Sequence, residues 1–212
     1  MPVSDERERL INAPWQAIAL VAVLVVCFLL QSLAGVDAVA DRLGFAPRDL
    51  QAGVWQTLVT SIFLHGGWLH LLANSAFGLA FATPVARRMG EDPAGGVVFF
   101  LFFLACGVLA NLGFTAMDPH DRAPLVGASG AIAGMMGATA RLMTPGRRLA
   151  GFTSPSVVGM TASWLGVNLL IAFVPLATPG AGHVIVAWQA HLAGYFAGLL
   201  LIAPTLRLLG RD

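Results

Sequence analysis

Charge is what this sequence has least of. Of its 212 residues only 11% are charged, against 57% hydrophobic, and the mean hydropathy is +0.78. A soluble domain carries about 25% charged residues, so this chain has too little polar surface to cover itself in water. A cytosolic enzyme and a disordered tail are thereby excluded. Lysine is absent: all 12 basic residues are Arg, and 11 acidic residues bring the net charge to +1. No polybasic patch exists, which excludes a nucleic-acid binder. Cysteine is scarce too. Cys27 and Cys106 each fall inside an apolar run and read as packing residues rather than a disulfide.

What is there is a series of long uncharged stretches. A helix needs roughly 20 mostly apolar residues to cross a ~30 Å hydrocarbon core. Residues 10–36 carry no charge, and Trp15 to Gly35 fills most of that gap. Residues 50–86 are also uncharged, but Gly66-Gly67 breaks the run and leaves a helix over 68–86. Residues 93–117 give a third span and 123–140 a short fourth one. The stretch 149–206 is cut by the turn signal Thr178-Pro179-Gly180 into spans over 156–175 and 185–206. The expectation is an all-α membrane protein with six spans over 14–207, short tails at 1–13 and 208–212, and 37–64 as the longest loop. The leader before the first span mixes Asp5, Glu6 and Glu8 with Arg7 and Arg9, and the apolar run is long for a signal peptide, so it reads as a retained anchor.

Arginine also sets the direction. With the N-terminus inside, the inner segments hold nine Arg (7, 9, 87, 88, 141, 147, 148, 207 and 211) and the outer ones three (42, 48 and 122). Both termini are therefore expected in the cytoplasm. With no organelle-targeting pattern, the expected location is a plasma (inner) membrane, crossed several times.

Polar groups inside a bilayer are costly and tend to be paired or functional. Five stand out: His65, His70 and Asn74 at the second span, Ser129 at the fourth and His191 on the sixth. Those three spans all run inward, so all five residues fall at one depth in the outer half of the membrane. Ser129 opens a helix between Gly127-Ala128 and Gly130, where unpaired backbone N–H groups favour an oxyanion. His191, Gly194 and Gly198 share one helix face, and Gly127, Gly130, Gly134 and Gly137 make a similar face on the fourth helix. Two small-residue faces pack closely, which would bring Ser129 towards His191. His70 and Asn74, four apart, share a face and are uncharged donors. A metal held by His65, His70 and His191 is the competing reading, but it lacks an HExxH pattern and any intramembrane carboxylate.

Together these motifs resemble the rhomboid family of intramembrane serine proteases. They are HxxxxHxxxN at His65, His70 and Asn74, GASG around Ser129, and AHxxGxxxG from Ala190 to Gly198. The match runs from about Trp55 to Gly198, in order and on alternate spans. The resemblance implies a six-helix bundle that cleaves transmembrane protein substrates within the lipid bilayer, without a cofactor or metal. By position Ser129 corresponds to the nucleophile and His191 to its base. Asn74, His70 and the Ser129 backbone N–H correspond to the oxyanion donors. His65, Gly127, Gly130, Gly194 and Gly198 correspond to structural positions near the site. No Asp or Glu lies within the spans, so a Ser–His dyad is implied. Two positions depart from the family pattern. Gln56 follows Trp55 where Arg is frequent, and Ala133 stands where many members have an aromatic beneath the imidazole.

Two other functions compete. A rhomboid-like pseudoprotease would bind transmembrane clients without cutting them, but such proteins usually lack the Ser or the His. A transporter needs a charged or discontinuous midplane site, and no charged residue lies inside the spans. Substrate identity and oligomeric state are not encoded in these motifs.

Overall fold

The computed structural model describes residues 12–144, 146, 148–173 and 187–211. Its organisation begins with α1 (Trp15–Ala34), entered through Pro14 and ended at Gly35, whose φ of +96° suits a residue without a Cβ. Three short helices follow: α2 (Val36–Leu43), α3 (Pro47–Gln51) and α4 (Thr57–Thr60), which runs into a 3₁₀ turn at Ser61–Phe63. Next comes α5 (Trp68–Met89), then α6 (Pro93–Met117), α7 (Ser129–Leu142), α8 (Pro155–Phe173) and α9 (Trp188–Leu208). Local chemistry starts and stops them. Asp49 accepts the Ala46 N–H at 2.9 Å at the head of α3, and Asp92 caps α6 by accepting the Gly95 N–H at 3.0 Å. Arg87 and Arg88 close α5, where cations suit the helix dipole.

Four of these helices, α1, α5, α6 and α9, are long and apolar enough to cross a membrane. The expected fifth span corresponds to α8. The turn at Thr178-Pro179-Gly180, the N-terminal tail to Ile11 and Arg147 lie outside the described residues.

Two expectations are corrected. The fourth span, expected over 123–140, begins as a helix only at Ser129 and has 14 residues, about 21 Å of rise. The reason lies in the preceding segment. Phe45 and Leu125 exchange backbone hydrogen bonds of 3.0 and 2.7 Å, and Gly127 sits at φ +125° with its N–H donated to the Ser61 carbonyl. Leu125 and Gly127 are thus tied to the 37–64 segment, and the backbone turns helical only at Ala128. That segment, in turn, is no bare loop: it holds α3, α4, the 3₁₀ turn and most of α2. Trp55 is exposed there, as a headgroup-level residue would be, whereas Phe63 packs against the core.

Helix α7 occupies the centre of the bundle. Every residue from Gly130 to Ala140 is buried, because α5, α6, α8 and α9 all pack around it. The sequence makes this possible by supplying glycines where backbones meet. A Cβ at Gly194 or Gly198 on α9 would collide with the Gly130 or Gly134 carbonyl, and one at Gly137 would collide with the Tyr195 carbonyl. A Cβ at Gly130 would lie 2.6 Å from the Ala110 methyl on α6. Side chain to backbone bonds lock the outer helices. Trp15 and Gln16 of α1 donate to the Glu91 and Gly90 carbonyls at 2.9 and 2.8 Å, and Thr139 donates to the Phe81 carbonyl at 3.1 Å.

Candidate active site

Ser129 is the first residue of α7, preceded by Ala128, whose methyl cannot cap the helix. The first N–H groups of that helix therefore have no intrahelical partner. On α9, close packing through Gly194 and Gly198 carries His191 up to the same point. His191 Nε2 lies 2.9 Å from Ser129 Oγ, across 62 residues of sequence. His191 is buried and Ser129 partly so. The convergence expected from the two glycine faces is thus present.

His70 and Asn74 lie one turn apart near the start of α5. A Cβ at Gly127 would fall 2.7 Å from His70 Nε2 and 3.6 Å from Asn74 Nδ2, so both side chains close over the residue two before Ser129. Only glycine admits this approach. His70 Nδ1 accepts a long 3.4 Å bond from the Gly66 N–H, which leaves Nε2–H as the donor on the Gly127 side. Asn74 is buried, and its Nδ2 has no hydrogen-bond partner among the described residues. A buried amide without a partner is expensive, and here two N–H bonds stand ready for an acceptor.

Behind these groups lies a frame. His65 is fully buried, and Gln31 brackets its backbone: Gln31 Nε2 donates to the His65 carbonyl at 3.0 Å and Oε1 accepts its N–H at 2.9 Å. The His65 ring meets Phe28 and His70 edge-on, with centroids 6.2 and 5.2 Å apart. Asn111 of α6 donates to the Leu58 carbonyl at 3.0 Å and to Ser61 Oγ at 3.1 Å. Ser61 in turn holds Gly127, so α6 reaches the site through two hydrogen bonds.

A family model for the rhomboid domain matches residues 52–208. The chain belongs to the rhomboid family. Among similar proteins are two of Bacillus subtilis (strain 168). "Putative rhomboid protease YdcA" is 31% identical over 149 residues, 70% of this chain and 66% of that protein. "Rhomboid protease GluP" is 26% identical over 184 residues, 85% of this chain and 33% of that protein. "RHOMBOID-like protein 5" of Arabidopsis thaliana is 28% identical over 163 residues, 76% of this chain and 49% of that protein. The chain thus matches from a third to just under two thirds of these relatives' own lengths.

The rhomboid motifs do not account for everything around the imidazole. His191 Nδ1 lies 3.2 Å from Asn168 Oδ1 on α8, where the sequence reading had Ser129 and His191 alone. The Trp164 ring, one turn earlier on α8, lies 5.9 Å from the imidazole, tilted by 41°. Trp164 also packs against the cluster that holds Ala133, Met136, Tyr195 and Leu199. The ring beside the imidazole thus comes from another helix, and Ala133 is 1% exposed. The available signal was the lone amide in the fifth span, Asn168, which belonged with the other costly intramembrane polar groups. Gln31 in the first span was overlooked for the same reason. Gln56, the other departure, is exposed at the head of α4.

Proposed function

We propose that this rhomboid is an intramembrane serine endopeptidase acting on transmembrane protein substrates. The observation that carries this reading is the 2.9 Å contact between Ser129 Oγ and His191 Nε2, made by two helices whose glycines permit it. A hydroxyl is a weak nucleophile until a base takes its proton. Ser129 Oγ attacks the scissile carbonyl carbon as its proton passes to His191 Nε2. The carbonyl oxygen becomes an oxyanion, for which Asn74 Nδ2, His70 Nε2 and the Ser129 N–H are the donors. Collapse of this intermediate breaks the C–N bond, and His191 returns the proton to the leaving amine. Water, deprotonated by the same imidazole, then hydrolyses the acyl-enzyme. His65, Gly127, Gly130, Gly194 and Gly198 serve as scaffold: none offers a polar side-chain atom to the reacting groups, and each fixes the approach of one that does.

The rhomboid protease names of the Bacillus relatives favour the same activity. A pseudoprotease is disfavoured because the nucleophile and base are both retained and in contact. We further propose six crossings by α1, α5, α6, α7, α8 and α9, with the site opening to the outer side of a plasma membrane and both termini inside. Arginine placement supports this direction. Arg87 and Arg88 end α5, whereas Arg122 follows the far end of the antiparallel α6, on the side where α7 begins. The deciding experiment incubates the purified chain with a model transmembrane substrate beside Ser129→Ala. Cleavage that disappears in the variant is expected, and substantial cleavage by Ser129→Ala would refute the serine mechanism.

A further inference from the structure

Resting on the protease reading, we propose that Asn168 is a positioning residue for the base, holding His191 in the one tautomer that can take the proton from Ser129. Asn168 is 1% exposed, so water does not compete for its amide. Its Nδ2 donates to the Trp164 carbonyl at 2.9 Å, a bond within one turn of α8. That bond fixes which way the amide faces. With the amide reversed, Oδ1 would confront the Trp164 carbonyl oxygen, acceptor against acceptor. Oδ1 therefore points at His191 Nδ1, 3.2 Å away, and an amide oxygen only accepts.

The imidazole is then constrained in turn. Nδ1 carries the proton and donates to Asn168, so neutral Nε2 presents its lone pair to the Ser129 hydroxyl. In the other tautomer Nε2–H would donate to Ser129 Oγ, Nδ1 would face an acceptor with no proton to offer, and no base would be available. The Trp164 ring limits rotation of the imidazole from the side. When Nε2 takes the serine proton, the Nδ1–H···Oδ1 bond becomes charge-assisted and strengthens as the transition state forms. A neutral amide thus fills the orienting place for which the spans offer no carboxylate.

The test uses the full-length protein and two readouts, the rate at which a small fluorophosphonate labels Ser129 and the kinetics of cleavage of a transmembrane substrate. Asn168→Leu keeps the volume but removes the acceptor. It should slow labelling and lower kcat about ten- to a hundredfold, the scale of one charge-assisted hydrogen bond, with KM unchanged. Asn168→Asp keeps an acceptor oxygen at the same reach and, as the neutral acid that burial favours, can donate its O–H to the Trp164 carbonyl, so it should restore both rates to within about threefold of the unsubstituted chain. If Leu and Asp variants are equally slow, an acceptor at this position does not orient the base, Asn168 acts through packing, and the proposal is overturned. Wild-type labelling by Asn168→Leu overturns it too. A loss confined to the transmembrane substrate, with labelling intact, would place Asn168 in substrate entry and also overturn it. Should the Leu variant fail to fold, Asn168→Ala takes its place in the same comparison. Absence of labelling and cleavage in the unsubstituted chain would instead bring down the protease reading itself.

Discussion

Replacing Ala133 with Phe separates two pictures of how the imidazole is supported. Read from the family pattern alone, Ala133 leaves a gap, and a ring there would restore a missing contact and preserve or raise kcat. The structure reverses the expectation. Ala133 is 1% exposed, and the cluster around it already contains Met136, Tyr195, Leu199 and the flank of Trp164. A benzyl group at so enclosed a position should displace its neighbours in that cluster, Trp164 among them, or push α7 from α9, whose backbones already meet at the glycines. Overpacking of this kind costs about 1–3 kcal/mol, which for a chain of this size lowers Tm by roughly 2–4 °C per kcal/mol. Because Trp164 neighbours His191, kcat should fall as well. The informative experiment adds Trp164→Ala. Alone it removes the ring beside the imidazole and should also slow cleavage; combined with Ala133→Phe, the new ring should occupy the vacated space and recover part of both losses. Tm in detergent and kcat on a transmembrane substrate, measured for the four proteins of this cycle, give the coupling directly. An Ala133→Phe protein as stable and active as its parent would refute the packing argument and leave the space beneath the imidazole open.

Other outcomes follow from the same geometry. Ser129→Ala and His191→Ala should each abolish cleavage while leaving the fold intact, and the double variant should be little worse than either, since the pair acts as a unit; rate measurements on all three check this. Asn74→Ala should lower kcat by about 10²–10³ with little change in KM if its unpartnered amide serves the oxyanion, and a pure KM effect would move it to substrate binding. Asp92, outside the spans, is held below the usual carboxylate range by the Gly95 N–H and by Arg211. Its stabilising contribution is present above the unfolded pKa near ~3.9 and is lost as pH falls through the lower folded value; Tm of Asp92→Asn should therefore converge on that of the parent as the pH is taken down to acid. Cysteine introduced at Asp121 should react with an impermeant reagent added outside intact cells and cysteine at Arg88 should not, the opposite pattern reversing the orientation.

Gaps between charges were enough to find the long helices, because a bilayer excludes charge over a fixed length. The same rule misplaced the start of α7, since Pro124 to Gly127 are uncharged yet not helical: their backbone is consumed by the exchange with Phe45 and by the Gly127 to Ser61 bond. It also reduced 37–64 to a loop, although Pro47 at a helix start with Asp49 two residues on was a visible capping signal. The glycine faces of α7 and α9 could be read directly, for their spacing is a helical period and their partner is another such face. Asn168 could not be matched to His191 in this way. One amide in an apolar helix has no period, and its partner sits on a helix 23 residues away. Trp164 could not be named because a methyl at position 133 leaves open whether the imidazole is loose or another side chain stands beside it.

The short, enclosed α7 has a mechanical consequence. A helix wrapped by α5, α6, α8 and α9 meets little acyl chain, so it has no hydrophobic thickness of its own to match to the bilayer. Stretching or thinning the membrane loads the outer helices, which can tilt to absorb it. Ser129 is instead referenced to protein: its height is set by glycine contacts with α9 and by the Phe45–Leu125 clip. On the protease reading, the depth at which a substrate helix is cut is thereby built into the fold and should carry unchanged from one lipid mixture to another.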